Sequence, residues 1–143
     1  MTVVAIHVAA EHGAPVVPLA SAEARAGMGL EGDRHFSPDG HADPGEALTL
    51  VEEEVVGEVG LPPGATRRQV TVRGVRLNEL IGRRFRVGEV ECYAVQICEP
   101  CLTLERNTRP GIIKDLVHRG GINADILTDG TIAVGDEVTT LDA

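Results

Sequence analysis

The chain has 143 residues, the usual length of one domain, and its 43% hydrophobic and 24% charged residues are typical of a globular protein. A formal net charge of −9 disfavours nonspecific nucleic-acid binding, and no apolar run is long enough to span a membrane. Three cysteines, an odd number, argue against a disulfide framework, and the N-terminus lacks the features of a secretory signal. We therefore expect a cytoplasmic protein with a single domain over residues 1–143.

The N-terminal part of the chain predicts short strands and a long loop. Thr2–Ala9 is a mostly apolar run typical of a strand, and Val16–Leu19 predicts a second, short strand that Pro18 places at a sheet edge or at a strand end. The segment Ser37–Gly45 is rich in Pro, Gly, Asp and His, and this composition predicts a loop.

A strand followed by a helix is predicted next. Ala47–Leu50 is typical of a brief strand, and Thr49 with Glu52 three residues later forms a capping-box pattern. The helix would run to about Val59 and end at Gly60, which precedes two prolines.

The C-terminal half predicts more strands and few helices. Its predicted elements are a strand at Gln69–Val72, a helical turn at Leu77–Ile81, strands at Phe85–Val87 and Val90–Cys98, a helix at Pro110–His118, a hairpin of Ala124–Leu127 with Ile132–Val134, and a strand at Glu137–Leu141. In the longest strand, Cys92, Ala94, Gln96 and Cys98 would share one face. Helices do not regularly separate the strands, so a mainly β fold is predicted: a closed or nearly closed mixed β-barrel with two or three short peripheral helices.

Arginine is concentrated in residues 67–86, which contain seven arginines against one acid, Glu79. One interpretation is a solvated face that pairs with the acidic N-terminal half. The other is a site for a small anion such as a phosphate or carboxylate, which the planar guanidinium binds well.

Four interpretations apply to Cys98-Glu-Pro-Cys101. A zinc site would need further ligands, for which His35, His41 and His118 are candidates without informative spacing. A dithiol redox pair would need a helix directly after it, and the predicted helix begins several residues later. The remaining interpretations are one reactive thiol, Cys101, beside Cys98, or two thiols that pack as small hydrophobes.

A second cluster lies at Gly29–His35. It is typical of a turn in which Asp33 accepts hydrogen bonds from backbone amides. As a functional site, Gly32 would let a ligand approach the backbone, and Arg34 and His35 would point at an anion.

Taken in order, these segments resemble the MOSC domain, the module found at the C-terminus of molybdenum cofactor sulfurases and as small stand-alone proteins. The matching stretches are Gly29–His35, Ala47–Glu53, Thr66–Phe85, Cys98–Leu104 and His118–Gly121. The chain departs from the family at Gln69, where an asparagine is usual.

The resemblance implies a strand-rich barrel, of the type also seen as the pyruvate-kinase barrel, and a reactive Cys101. That cysteine would carry sulfur as a persulfide or contact the molybdenum of the pterin cofactor, molybdopterin. The residues then expected to bind the cofactor or its phosphate are Gly32, Asp33, Arg34, His35, Arg67 and Arg68.

The expected activity follows from what the chain could contain. A complete sulfurase also needs a pyridoxal-phosphate domain, which is not expected within this chain. The protein would then be a sulfur carrier or acceptor, with a sulfurtransferase or molybdoenzyme as partner, or a cofactor-dependent reductase. The alternatives are a zinc-binding structural module that uses Cys98 and Cys101, or an adaptor without catalysis.

Overall fold

The computed structural model describes residues 1–141 and contains two β-sheets with short helices. The strands are β1 (Thr2–Val8), β2 (Val17–Leu19), β3 (Ser21–Arg25), β4 (Gly29–Leu30), β5 (Leu48–Glu52), β6 (Val70–Arg73), β7 (Arg84–Val87), β8 (Val90–Ile97), β9 (Ile122–Ile126), β10 (Gly130–Ala133) and β11 (Val138–Thr140). The α-helices are α1 (Glu53–Glu58), α2 (Leu102–Asn107) and α3 (Ile112–Leu116), and a 3₁₀ helix spans Leu77–Leu80. None of these helices is long and apolar enough to cross a membrane.

The large sheet has eight strands in the order β11-β7-β8-β9-β5-β6-β1-β2. Its neighbours are antiparallel except β5 and β6, which are parallel and joined through α1. The second sheet has the order β10-β3-β4. The predicted edge strand at Val16–Leu19 and the predicted pair on either side of Gly88-Glu89 are confirmed as β2 and as β7 with β8.

The large sheet curls strongly but is not a closed barrel. The prediction of a mainly β fold with a barrel-like sheet is therefore confirmed only in part, because the sheet does not close. Where β1 and β11 approach each other, they share one isolated bridge, Thr2 with Glu137. Backbone hydrogen bonds of 2.8 Å from Val3 to Asp136 and 2.9 Å from Val138 to Met1 flank it. Since β2 already occupies the same edge of β1 beyond this point, no longer ladder with β11 can form.

Aliphatic side chains fill the inside of the curled sheet. Leu48, Leu50, Ile122 and Ala124 alternate with less buried residues on β5 and β9, and all four are fully buried. Burying each large aliphatic side chain contributes about 1.5–3 kcal/mol. A smaller apolar cluster beneath the helices consists of Val55, Val59, Leu104, Ile112 and Leu116.

Strand β8 changes face partway along its length. Cys92 and Ala94 share a buried face, in line with the predicted alternation, but a bulge against β9 between Ala94 and Gln96 leaves Gln96 exposed. The prediction that Cys92 to Cys98 share one face is therefore wrong beyond Ala94, because an extra residue in one strand inverts the alternation. Cys98 is consequently not part of the core.

Two further predictions are wrong. Thr49 does not cap α1: it lies within β5, and the helix begins at Glu53 without a side-chain cap. The strands β9 and β10 do not form a hairpin, because β5 and β8 already occupy both edges of β9. Strand β10 pairs with β3 instead, and Asp129 accepts a hydrogen bond of 2.8 Å from the amide of Ala26.

Candidate functional site

A cavity of about 210 Å³ lies against the outward face of the large sheet. Thr49 on β5 and Asn123 on β9 are register partners there, and both alternate with core residues. The complete lining is Arg34, His35, Gly45, Glu46, Thr49, Arg67, Arg68, Cys98 and Asn123. We call this cavity the arginine pocket.

Asp33 anchors the loop that carries Arg34 and His35. Its buried carboxylate accepts hydrogen bonds from the backbone amides of Ala9 and His35, both at 3.1 Å. It also accepts from the Gln69 side chain at 2.7 Å and from the Arg34 guanidinium at 3.3 Å. The interpretation of Asp33 as a turn-capping residue is confirmed, and neither Asp33 nor Gly32 lines the pocket.

Gln69 connects that loop to β5. Its side-chain oxygen accepts a hydrogen bond of 2.8 Å from the backbone amide of Thr49. Its backbone amide donates a hydrogen bond of 2.9 Å to the Thr49 hydroxyl. Gln69, which departs from the family pattern, thus has a structural role, because its side-chain amide joins Asp33 to the wall of the pocket.

Arg67 is held in an unusual conformation. Its φ of 60° lies in the left-handed region, which costs a non-glycine residue about 1–2 kcal/mol. Its carbonyl accepts a hydrogen bond of 3.3 Å from Arg34, while its own Nη2 is buried without a partner among residues 1–141. A buried donor without a partner is costly and marks a place where a ligand acceptor would be favourable.

Arg68 binds three backbone carbonyls and no carboxylate within the described chain. It donates to Gly120 at 2.8 Å, to Cys98 at 3.3 Å and to Thr66 at 3.4 Å. These bonds hold the Cys98 segment against the segment that contains Gly120. They leave the positive charge of the guanidinium uncompensated by any ion pair in residues 1–141.

The pocket has an excess of positive charge, although Glu46 also lines it. The pKa of Arg34 lies below its ordinary value, mainly because of burial, and the neighbouring charges of Arg67 and Arg68 lower it further against the attraction of Asp33. A bound anion would relieve this repulsion.

His35 is a neutral group at the wall of the pocket. Burial lowers its pKa, and the charge of Arg34 lowers it further. Its ring meets that of His12 edge to face, with centroids 5.3 Å apart. At neutral pH the imidazole can therefore donate one hydrogen bond and accept another.

The two cysteines of the Cys98–Cys101 segment have different surroundings. Cys98 is half-buried and lines the pocket, whereas Cys101 is exposed and immediately precedes α2. Burial raises the pKa of the Cys98 thiol, and the positive charge of Arg68 opposes that effect. The expectation that no helix follows Cys101 directly is wrong, because α2 begins at Leu102.

His118 and Glu99 form a contact outside the pocket. The Nδ1 atom of His118 lies 3.1 Å from the Glu99 carboxylate, which also accepts a hydrogen bond of 2.6 Å from the backbone amide of His118. Within residues 1–141, no group of three or more His, Cys, Asp or Glu residues is placed to hold a metal ion. The zinc hypothesis for Cys98 and Cys101 therefore lacks a ligand set.

The arginine-rich segment fits both of its predicted interpretations, divided between different residues. Arg67 and Arg68 line the pocket, whereas Arg73 pairs on the surface with Glu53 of the acidic N-terminal half. Arg86 pairs instead with Glu91, which lies outside that half.

Cys92, the third cysteine, provides a test of how β8 packs in the core. Burial, aided by the negative charges of Asp125 and Glu91, raises the pKa of the Cys92 thiol to about 12. Since the thiolate is the reactive form, we expect a disulfide reagent at about pH 8 to modify only Cys98 and Cys101 in the folded chain. All three cysteines should react after unfolding. Rapid reaction of Cys92 in the folded protein would contradict the described packing of β8.

Comparison with known proteins identifies the family. The chain resembles the solved structures of YuaD from Bacillus subtilis (TM-score 0.78, 18% identity, 98% of this chain and 96% of that chain) and YiiM from Geobacillus stearothermophilus (TM-score 0.74, 16% identity, 99% and 75%). It also resembles YiiM from Escherichia coli (TM-score 0.68, 17% identity, 100% and 71%). At these identities the likeness concerns the fold alone, and no curated protein matches the chain significantly. The family model of the MOSC domain matches residues 33–139, most of the chain, and the protein therefore belongs to the MOSC domain family.

Proposed function

We propose that this protein binds the molybdenum cofactor, or a related anionic and sulfur-bearing ligand, at the arginine pocket. The exposed Cys101 would then act as a persulfide carrier or as the ligand of molybdenum. The observation that supports this best is the convergence of Arg34, Arg67 and Arg68 on one cavity, with the Arg67 Nη2 atom buried and lacking a partner in residues 1–141.

The donor set of the pocket suits a phosphate group. Guanidinium forks bind phosphate oxygens through charge-assisted, paired hydrogen bonds. The cavity of about 210 Å³ is smaller than the sites that enclose a whole organic ligand, which are typically about 300–1,000 Å³. It would hold the phosphate of the cofactor, and the pterin and metal would remain outside it. When bound, the cofactor supplies the metal centre for reduction or the atom that accepts sulfur.

The residues of the pocket and Cys101 would have different roles. Arg34, Arg67 and Arg68 hold the anion, and the neutral imidazole of His35 is available to donate or accept a proton. The exposed Cys101 can be reached by a second protein, so we propose a sulfurtransferase or a molybdoenzyme as partner. Three free thiols are in keeping with a reducing cytoplasm. We assign all of residues 1–143 to one MOSC-like domain.

Arg67 provides the direct test of anion binding. We expect Arg67→Gln to weaken the binding of inorganic phosphate about 10- to 100-fold in calorimetric titration, because charge-assisted hydrogen bonds contribute about 1.5–3 kcal/mol. The matched control is Arg83→Gln, because Arg83 is exposed and outside the pocket. Equal loss in both variants, or no saturable binding of phosphate, would exclude a specific anion site.

The role of Cys101 requires a separate measurement. Protein purified from molybdate-replete cells should contain molybdenum or persulfide sulfur, and Cys101→Ser should lower that content to background. Unchanged molybdenum and persulfide content in this variant would exclude Cys101 as carrier and as metal ligand.

A further inference from the structure

We propose that Cys98 is the inner thiol of a two-cysteine relay: Cys101 receives sulfur from outside and passes it to Cys98, which lies at the wall of the arginine pocket beside the ligand whose phosphate the pocket holds. This inference rests on the proposed function of that pocket and adds a residue that the function does not require. The inference is based on the positions of the two cysteines, because Cys98 lines the arginine pocket whereas Cys101 does not.

The position of Cys98 is fixed from both sides of its backbone. Its amide donates a hydrogen bond of 2.8 Å to the carbonyl of Gly121, and its carbonyl accepts one of 3.3 Å from Arg68. Gly120 packs so closely that a Cβ atom there would lie 2.6 Å from the Cys98 carbonyl oxygen. These contacts fix the backbone of Cys98 at the wall of the pocket, next to the guanidinium of Arg68.

Cys101 has the complementary position. It is exposed, it immediately precedes α2, and only Glu99 and Pro100 separate it from Cys98. After burial, a negative charge on Cys101 also contributes to raising the pKa of Cys98. One thiol thus faces solvent and possible donors, and its neighbour faces the cationic cavity.

Transfer between the two thiols needs no oxidant beyond the donor. A persulfide on Cys101, formed from an external persulfide, has an outer sulfur bound to its Sγ. The thiolate of Cys98 attacks this outer sulfur, so an S–S bond forms at Cys98 and the one at Cys101 breaks. The electron pair of the broken bond stays on the Cys101 sulfur, which takes up the proton that Cys98 has lost. Burial raises the pKa of Cys98 and so disfavours the attacking thiolate, and the charge of Arg68 offsets part of that effect.

Alkylation can test which sulfur faces the arginines. Iodoacetate carries a carboxylate that the pocket would attract, whereas iodoacetamide is neutral. We expect the ratio of their rates to be several-fold higher at Cys98 than at Cys101, and inorganic phosphate to protect Cys98 alone. Arg67→Gln should remove this preference, and Arg83→Gln should leave it unchanged. Equal ratios at the two cysteines, in protein that binds phosphate, would overturn the inference and leave the anion site intact.

The relay itself can be followed with glutathione persulfide, a donor too bulky for a cavity of about 210 Å³. Fragmentation of the peptide bond before Pro100 in tandem mass spectrometry separates the two cysteines, so the added sulfur can be located. We expect sulfur on Cys101 first and on Cys98 later, at least about tenfold slower labelling of Cys98 in Cys101→Ser, and retention on Cys101 in Cys98→Ser.

Three results would overturn the relay: labelling of Cys98 at the same rate in Cys101→Ser, persistent sulfur on Cys101 of the unchanged protein, or no labelling of either thiol. The first two leave the carrier role of Cys101 and the phosphate site intact, whereas the third also removes the proposed carrier function. Circular dichroism of both serine variants verifies that each is folded.

Discussion

Gly121→Ala is expected to prevent formation of a stable fold. Gly121 has a φ of 108°, and a Cβ atom there would overlap the carbonyl oxygen of Leu50 and lie 3.1 Å from its carbonyl carbon. These are backbone atoms of β5, which pairs with β6 and β9 and cannot move without breaking both ladders. We expect the free energy of unfolding to fall by about 4 kcal/mol or more, measured by denaturant titration.

Gly135→Ala is the matched control for this substitution. Gly135 has a similar φ of 97°, but an added Cβ atom would have nothing within 4 Å. Its substitution should cost about 1–2 kcal/mol, the penalty of the left-handed conformation alone. Similar losses in the two variants would mean that the contact between Gly121 and β5 is not as tight as the structure has it.

Asp33→Ala is expected to have the second largest effect. The carboxylate is fully buried, its partner Arg34 is only 10% exposed, and four hydrogen bonds converge on its oxygens. Removing it would leave buried donors and a guanidinium without their partner. Breaking a buried charged pair in this way costs about 3–5 kcal/mol, and thermal or denaturant unfolding would measure the loss. Phosphate binding should weaken as well, because Arg34 loses its anchor.

Asp39→Ala serves as the control for Asp33→Ala. Asp39 also accepts two local hydrogen bonds, from the Ser37 hydroxyl at 2.6 Å and the His41 amide at 3.0 Å, but it is exposed in the loop. Its loss should cost less than about 1 kcal/mol. A comparable cost for the two aspartates would contradict the anchoring role of Asp33.

Local patterns in the sequence predicted the elements whose partners are near in the chain. The strands β7 and β8 and the edge position of β2 are examples, because a tight turn and a proline determine them. The pairing of the other strands depends on which distant segments occupy the free edges of each sheet. Asp129-Gly130 is a good hairpin turn, but β9 has no free edge, and so β10 joins β3. Strand β3 was missed because its buried positions, Ala22 and Ala24, are small.

The site was predictable in its residue types and not in its arrangement. Charge clustering indicated Arg67 and Arg68, and the turn chemistry around Asp33 indicated Arg34 and His35. All four of these residues line the arginine pocket. The bulge of β8 could not be seen in the sequence, because it depends on the register with β9. The orientation of Cys98 follows from that bulge. The family resemblance drew attention to Cys101, and Cys98 was expected only to pack or to act as a resolving thiol.

Between β1 and the segment that enters β11, the curl is joined by one isolated bridge and three backbone hydrogen bonds and not by a ladder. Local opening of the sheet should begin there, since few backbone bonds resist it. In strand order this junction is as far as it can be from β9 and β5, whose outward faces carry Asn123 and Thr49. The two are nevertheless linked along β1, because Ala9, which directly follows that strand, donates a hydrogen bond of 3.1 Å to the Asp33 carboxylate that anchors the pocket loop. Only an opening confined to the Thr2 end of β1 would leave the anion site unchanged.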